Sequence, residues 1–236
     1  GQRIRELFSR YGSAYRWWVT FASMLGSFAT LLTGTIINVA IPDVMGALGM
    51  TPDDAQWLAT GFLAATTVTM LLAAWCVERF GIRTAYLASM VIFLLGSVLG
   101  GIAESGDTLI LARVIQGAGS GLMTPVSMLI IFQVFPPHRR GTARGVYSIG
   151  VVLAPALGPV LGGLLIDHLS WRYVFFVAVP FAVLSIPLAM VFMPEREPDA
   201  ASPRFDWVGV VLLSIALLAL LVALSEGPAD DFQDQL

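Results

Sequence analysis

Apolar runs long enough to cross a bilayer, separated by short polar breaks, set the pattern of this 236-residue chain. Seven runs can be drawn: Trp18–Ile41, Ala55–Val77, Ala85–Ala103, Leu109–Phe135, Val146–Ile166, Tyr173–Met193 and Trp207–Leu224. Each is about 18–27 residues, the length of helix that spans roughly 30 Å of hydrocarbon. The pattern predicts an all-α integral membrane protein with a six-helix bundle over residues 18–193 and a seventh helix over 207–224. Residues 1–17 precede the bundle, the polar stretch 194–206 (PEREPDAASPRFD) reads as an exposed linker, and 225–236 form a tail. The breaks fall on alternate sides. Pro42–Asp54, Gly101–Thr108 and Asp167–Arg172 share one side; Glu78–Thr84 and Pro136–Gly145 share the other.

Composition agrees and adds orientation. The chain is 57% hydrophobic and 12% charged, with a mean hydropathy of +0.81, whereas soluble domains carry about 25% charged residues. All thirteen basic residues are arginines. Arg3, Arg5, Arg10, Arg16, Arg79, Arg83, Arg139, Arg140, Arg144, Arg196 and Arg204 fall on the N-terminal side of the predicted spans, and only Arg172 falls opposite. Basic loops stay in the cytoplasm, so the N-terminus, residues 1–17 and the 194–206 linker are expected there. Residues 225–236 are then external. Asp43, Asp53, Asp54, Glu104, Asp107 and Asp167 sit in the outer loops. Arginines early in the chain, followed by a run too long for a signal peptide, argue against a cleaved leader.

Several classes of function drop out. No basic stripe interleaved with aromatics appears, so no nucleic-acid partner is expected. Cys76 is the single cysteine and can close no internal disulfide. No His, Asp or Glu cluster lies within a span, and His138 and His168 fall in loops on opposite sides. The expectation is no enzyme, no catalytic residue, no metal and no cofactor.

What chemistry remains is concentrated in four places. Gly150–Gly163 reads GVVLAPALGPVLGG, with five glycines or prolines in its last nine residues. Each glycine costs a helix about 1 kcal/mol and each interior proline about 3 kcal/mol relative to alanine. Membrane helices tolerate both where neighbours pack closely, so a bent, tightly packed span is expected. Arg113 is the one charge well inside a span. A guanidinium there costs at least about 2.5–3.5 kcal/mol, so it faces a cavity or partner, or else snorkels or bonds a carbonyl near the outer helix end. Glu78, Arg79, Phe80, Gly81 and Arg83 make a charged turn between the second and third runs; the turn is either a site of specific pairing or a solvated basic loop. Thr35 and Asn38, one turn apart on the first run, can bond a ligand or merely a neighbouring helix.

These places resemble one family. Ala74–Thr84, AWCVERFGIRT, is similar to the major facilitator superfamily motif G-x-L-a-[DE]-R-x-G-R-[RK], matched at Glu78, Arg79, Gly81 and Arg83 and departing at Ala74 and Ile82. The resemblance implies a cytoplasmic gate in which Glu78 and Arg83 latch the outward-facing state. Arg144, in the analogous loop HRRGTARG, is a further partner. LARVIQGAG resembles the family's fourth-helix pattern R-x-x-Q-G-x-G at Arg113, Gln116, Gly117 and Gly119, which implies a proton-coupling role for Arg113. GPVLGG at Gly158–Gly163, preceded by Pro155, resembles the fifth-helix exporter motif G-P-x-x-G-G. Gly158, Gly162 and Gly163 are then expected to let this helix approach one from the other half, with Pro159 bending it.

Leu31–Pro42, LLTGTIINVAIP, resembles the L-D-x-T-I-V-N-V-A-L-P pattern of the 14-helix drug:proton antiporters of the EmrB/QacA type. Thr35, Asn38, Ala40 and Pro42 match, and Thr33 stands where that branch has an aspartate. Threonine cannot titrate, which leaves proton coupling through this span open and favours a neutral or anionic cargo over a cation. Trp171, Arg172 and Tyr173 with Phe175 and Phe176 resemble the start of the family's sixth helix, with Ala178 in place of an asparagine. Phe205, Asp206, Trp207 and Gly209 resemble the start of its seventh.

The family's fold is a six-helix half of two inverted three-helix repeats. The chain is therefore expected to be the N-terminal half of a longer, proton-coupled multidrug or small-molecule exporter in the bacterial inner membrane. Alternating access would move cargo and protons through a cavity lined in this half by Thr33, Asn38, Gln116, Trp57 and Met123. Membrane lipid, the C-terminal half and a periplasmic adaptor are the expected partners. A lipid, metabolite or amphipathic-anion exporter is the alternative, and a non-transporting membrane sensor a more distant one.

Overall fold

The computed structural model describes residues 2–195 and 207–226, which are helical almost throughout and contain no strand. Eleven α-helices follow in order: α1 (Gln2–Tyr11), α2 (Ala14–Leu48), α3 (Pro52–Leu71), α4 (Ala73–Phe80), α5 (Ile82–Gly101), α6 (Gly106–Ser120), α7 (Met123–Val134), α8 (Arg140–His168), α9 (Tyr173–Phe176), α10 (Val179–Phe192) and α11 (Trp207–Glu226). Five spans are long and apolar enough to cross a membrane: α2, α5, α6 with α7, α8 with the 3-10 turn before it, and α9 with α10. A sixth is α3 with α4, bent by 52° at their junction. The 20-residue α11 belongs to a separate unit that begins at Arg204. Residues 196–206 and 227–236, most of the expected linker and tail, lie outside the described residues, Arg196 and Arg204 among them.

Connections are tighter than the polar pattern predicts. The first span does not stop at Ile41. Helix α2 continues through Pro42 to Leu48, where Gly49 adopts a left-handed φ of 63° and returns its N–H to the Met45 carbonyl. Glycine alone takes that conformation without strain. Thr51 then caps α3, its hydroxyl accepting from the Asp54 N–H at 3.2 Å while Pro52 opens the helix. Such a box satisfies N-terminal donors that would otherwise be orphaned. On the other side, the expected Glu78–Thr84 loop contracts to one residue: Gly81, at φ 85° and ψ 159°, separates α4 from α5. The 136–145 break is likewise mostly helical, since α8 begins at Arg140.

Packing reveals the internal symmetry that sequence similarity shows only weakly. The first span packs chiefly on the fifth and sixth, α2 against α8 and α10. The fourth packs chiefly on the second and third, α6 against α3 and α5. These are the same pairings with the two three-helix units exchanged, as units of opposite topology require. Small residues set the closest approaches. A Cβ on Gly119 of α6 would lie 2.7 Å from the Ser89 carbonyl oxygen of α5, and one on Gly117 would press on the Phe62 backbone of α3. Two apolar clusters fill the interior. One gathers Tyr86, Phe93, Met123 and Ile130; the other gathers Ile36, Leu58, Leu109 and Phe175.

Candidate functional site

Arg113 lies on α6 between the two faces that pack on α3 and α5, and it is fully buried. Its Nε donates to the Leu58 carbonyl of α3 at 2.8 Å. Nη1 donates to the Thr33 carbonyl of α2 at 3.3 Å and to Gln116 Oε1, one turn along α6, at 2.9 Å. Gln116 Nε2 in turn donates to Ser97 Oγ of α5 at 2.9 Å. One polar node therefore ties together α2, α3, α5 and α6. The guanidinium also lies over the Phe62 ring, 4.2 Å from its centroid, a cation–π contact that desolvation strengthens.

No carboxylate joins this node among the described residues, and Arg113 Nη2 is buried with no partner. A buried charge ordinarily needs a counter-ion or a full set of hydrogen bonds. Carbonyls and an amide supply part of that set here, leaving a fixed positive charge with one unused donor. Burial leaves no room for Arg113 to snorkel at the outer end; the carbonyls it bonds belong to α2 and α3.

The predicted cavity residues separate into three groups. Thr33 and Gln116 meet at Arg113 and are buried. The Thr33 hydroxyl bonds back to its own helix, donating to the Ala29 carbonyl at 3.0 Å, so its backbone, not its side chain, serves the node. Asn38 and Trp57 are exposed on α2 and α3. Met123 faces no open space: it is fully buried in the core, with its sulfur 3.4 Å from where a Cβ on Gly26 would stand.

The charged turn has a partner that sequence reasoning did not name. Arg83 forms an ion pair with Glu195, just beyond α10. Glu78 and Arg144 are exposed; Arg79 is exposed and its guanidinium lies near the Phe80 ring. Gly81 is buried at the turn.

The glycine-proline segment also differs from expectation. Helix α8 passes through Pro155 and Pro159 without a break. Gly158 and Gly162 do not face outward. A Cβ on Gly158 would meet Thr35 and, at 3.2 Å, the Ile36 backbone nitrogen, while one on Gly162 would meet Ile36 Cγ1 at 3.0 Å. Both seat α8 on α2 inside this bundle. Gly163 has open space at its Cβ position, and Pro155 and Pro159 are exposed. The motif is thus split between an internal seam and a free face.

A second polar cluster was missed altogether. Tyr147 of α8 donates to Ser27 Oγ of α2 at 2.7 Å, and Ser27 lies 3.3 Å from Ser127 Oγ of α7. Tyr86 of α5 donates to the Ala22 carbonyl at 2.7 Å. Isolated hydroxyls within apolar runs carry no hydropathy signal; only their register on neighbouring helices could have exposed them.

The family model described as Major Facilitator Superfamily matches residues 23–228. The chain is 35% identical over 214 residues to the multidrug export protein EmrB of Haemophilus influenzae, covering 91% of this chain and 42% of that protein. It is 34% identical over 214 residues to EmrB of Escherichia coli K12, with the same coverage. An uncharacterized MFS-type transporter of Bacillus subtilis, YhcA, is 35% identical over 90% of this chain and 40% of its own length. The chain thus spans about two-fifths of the length of these relatives. Among solved structures, the proton:xylose symporter XylE bound to 6-bromo-6-deoxy-D-glucose superposes with a TM-score of 0.67 at 19% identity, over 89% of this chain and 53% of that one. That likeness establishes a shared fold.

Proposed function

The chain belongs to the major facilitator superfamily, a family of multi-pass membrane transporters rather than enzymes, and on that premise we propose that it forms one half of a proton-coupled exporter of drugs or other small molecules. The half-bundle rocks against a second half about a central cavity, the alternating-access cycle of such folds. The N-terminus lies in the cytoplasm and the protein in the bacterial inner membrane. The excess of arginine on the N-terminal side of the spans and the export function named for the bacterial relatives support that placement. The second half, supplied by the rest of the protein, is the first partner; a periplasmic adaptor is a further one.

The observation that carries this reading is Arg113, buried and bonded to α2, α3 and its own helix, with one donor unused. A fixed cation in a low-dielectric site holds any carboxylate brought against it in the ionised form. In the proposed cycle that carboxylate comes from the second half. Its protonation releases Arg113 and frees the two halves to change their packing. Asn38 and Trp57 contribute to the cavity surface; Thr33 and Gln116 act by holding Arg113. The Arg83–Glu195 pair, with Glu78, Arg79 and Gly81 of the same turn and Arg144 of the analogous loop, is the cytoplasmic latch. The free face of Gly163, Pro155 and Pro159 packs against the second half.

A second reading of the cargo rests on the same node. Thr33 supplies no acid and Arg113 Nη2 has no partner, so the site attracts an amphipathic anion more readily than a cation. One assay separates both questions. Inverted vesicles containing the full-length protein are given an imposed proton gradient, and accumulation of matched cationic and anionic dyes is followed. Export predicts gradient-driven accumulation that Arg113→Ala abolishes; undiminished accumulation in that variant overturns the coupling role. Preference for the anionic dye selects the second cargo.

A further inference from the structure

At the end of the bundle where α2 begins and α7 ends, a pocket of about 270 Å³ is lined by Ser13, Arg16, Trp17, Phe135, Arg139 and Thr142. Its composition sets it apart from the apolar groove along α5, lined by Leu94, Leu95 and Val98. Two guanidiniums and two hydroxyl side chains line it beside two aromatic walls, and no carboxylate is among the lining residues.

Arg16 is held in advance of any ligand. Its guanidinium lies 4.7 Å from the Phe8 ring and 5.9 Å from the Phe135 ring, and Trp17 packs edge-on against Phe135 at 5.4 Å. Stacking fixes the plane of the fork without using its hydrogen-bond donors. Arg16 Nε is nevertheless buried and unpartnered, and a buried donor without an acceptor needs an explanation. Neighbouring Arg140 is engaged elsewhere, donating from Nε to the Phe135 carbonyl at 3.2 Å and lying near the Phe132 ring. Arg139 is exposed and belongs to the pocket.

The surroundings specify what the pocket takes. Trp17, Trp18 and Phe21 are exposed at the first turns of α2, the ring chemistry that settles at the headgroup level of a bilayer. Helix α1, which leads into the pocket through Ser13, packs Ile4, Leu7, Phe8 and Tyr11 on the core and carries Arg5 and Arg10. A forked, flattened guanidinium with a second arginine and hydroxyls nearby matches the oxygens of a phosphate group.

We propose that this pocket is a phosphate-group site at the membrane surface, which takes the headgroup of an anionic phospholipid. It lies apart from the Arg113 node and does not depend on the direction of transport. The lipid phosphate accepts from Arg16 and Arg139, its glycerol or headgroup hydroxyls meet Ser13 and Thr142, and its chains run down the exposed aromatic surface of α2.

The test uses the full-length protein in detergent, with retained lipid read by native mass spectrometry and unfolding temperature read in parallel. Phosphatidylglycerol, phosphatidylcholine, glycerol phosphate and inorganic phosphate are the four probes. Phosphatidylglycerol should be retained over phosphatidylcholine. Arg16→Gln or Arg139→Gln should each weaken retention about fivefold, and the double variant about thirtyfold, as expected for one surface arginine and two. Thr142→Glu, an exposed position that leaves the core untouched, should exclude the lipid while the apoprotein unfolds at the wild-type temperature. If glycerol phosphate and inorganic phosphate bind alone and displace the lipid, the phosphate chemistry holds and its source is soluble. Equal retention of phosphatidylglycerol by wild type and Thr142→Glu, or no preference over phosphatidylcholine, overturns the proposal.

Discussion

Arg113 donates its Nε hydrogen to the carbonyl of Leu58, 2.8 Å away on a different helix. A backbone acceptor cannot be protonated, neutralised or moved without moving α3. The charge on α6 and the position of α3 are therefore one mechanical quantity, and the bond makes Arg113 a sensor of helix position as much as a source of field.

Replacing the charge tests this directly. Arg113→Met keeps most of the volume and removes a partly satisfied buried cation, a relief that offsets the cost of about 1–3 kcal/mol for leaving the Gln116 amide oxygen without its donor. The variant should unfold at or above the wild-type temperature in detergent and lose at least tenfold in gradient-driven accumulation. A lowered unfolding temperature with transport retained would make the node purely structural.

The two kinds of glycine on α8 should respond oppositely. Gly158→Ala forces a methyl onto Thr35 and the Ile36 backbone and should cost about 1–3 kcal/mol by overpacking. Gly163→Ala enters open space and should gain about 0.5–1 kcal/mol from helix propensity. Thermal unfolding of the two variants in detergent checks the sign. Gly163→Leu, with unfolding unchanged, should still cut transport if that face meets the second half of the protein.

At position 33 the expected outcome concerns specificity. Thr33→Asp introduces a carboxylate beside the carbonyl that Arg113 bonds. Compensation of that charge should shift dye accumulation towards cations. Unchanged selectivity between matched cationic and anionic dyes would show that the cargo does not sense the node.

For the latch, stability and rate should come apart. The Arg83 and Glu195 side chains are 21% and 56% exposed, and such pairs contribute at most about 1 kcal/mol. Glu195→Arg should leave the unfolding temperature within a few degrees of wild type while changing the rate of transport. The exchanged pair Arg83→Glu with Glu195→Arg should recover part of the rate, most clearly at low salt.

The spans were legible because hydropathy needs no partner: a run such as Ala85–Ala103 is apolar whatever it touches, and it returns as α5. The fold family was legible from spacing, at Glu78–Arg83 and Arg113–Gln116. What stayed hidden was which surface each residue meets. GPVLGG announces a small-residue contact without saying that Gly158 and Gly162 turn to α2 while Gly163 turns away. Arg113 announces a buried charge without naming Leu58, because a carbonyl acceptor leaves no trace in residue type. Pro42 reads as a helix terminator, yet α2 runs past it to Gly49. There the loss of one backbone bond is outweighed by the packing of Val44 in the second apolar cluster.

The bend at Leu72 has a consequence for how this span is anchored. Above it, α3 packs on α6 and α2; below it, α4 packs on α5 and α7. The 52° angle between them makes this span an elbow with two separately anchored forearms. The Gly81 junction thus ends an arm whose neighbours differ from those of the arm that carries the Leu58 carbonyl. The charged turn and the helix that serves the arginine node therefore lie on opposite arms of one bent span. Beside that span, the α4–α7 contact and the α5–α6 seam, where Gly119 rides on the backbone of α5, join the two ends.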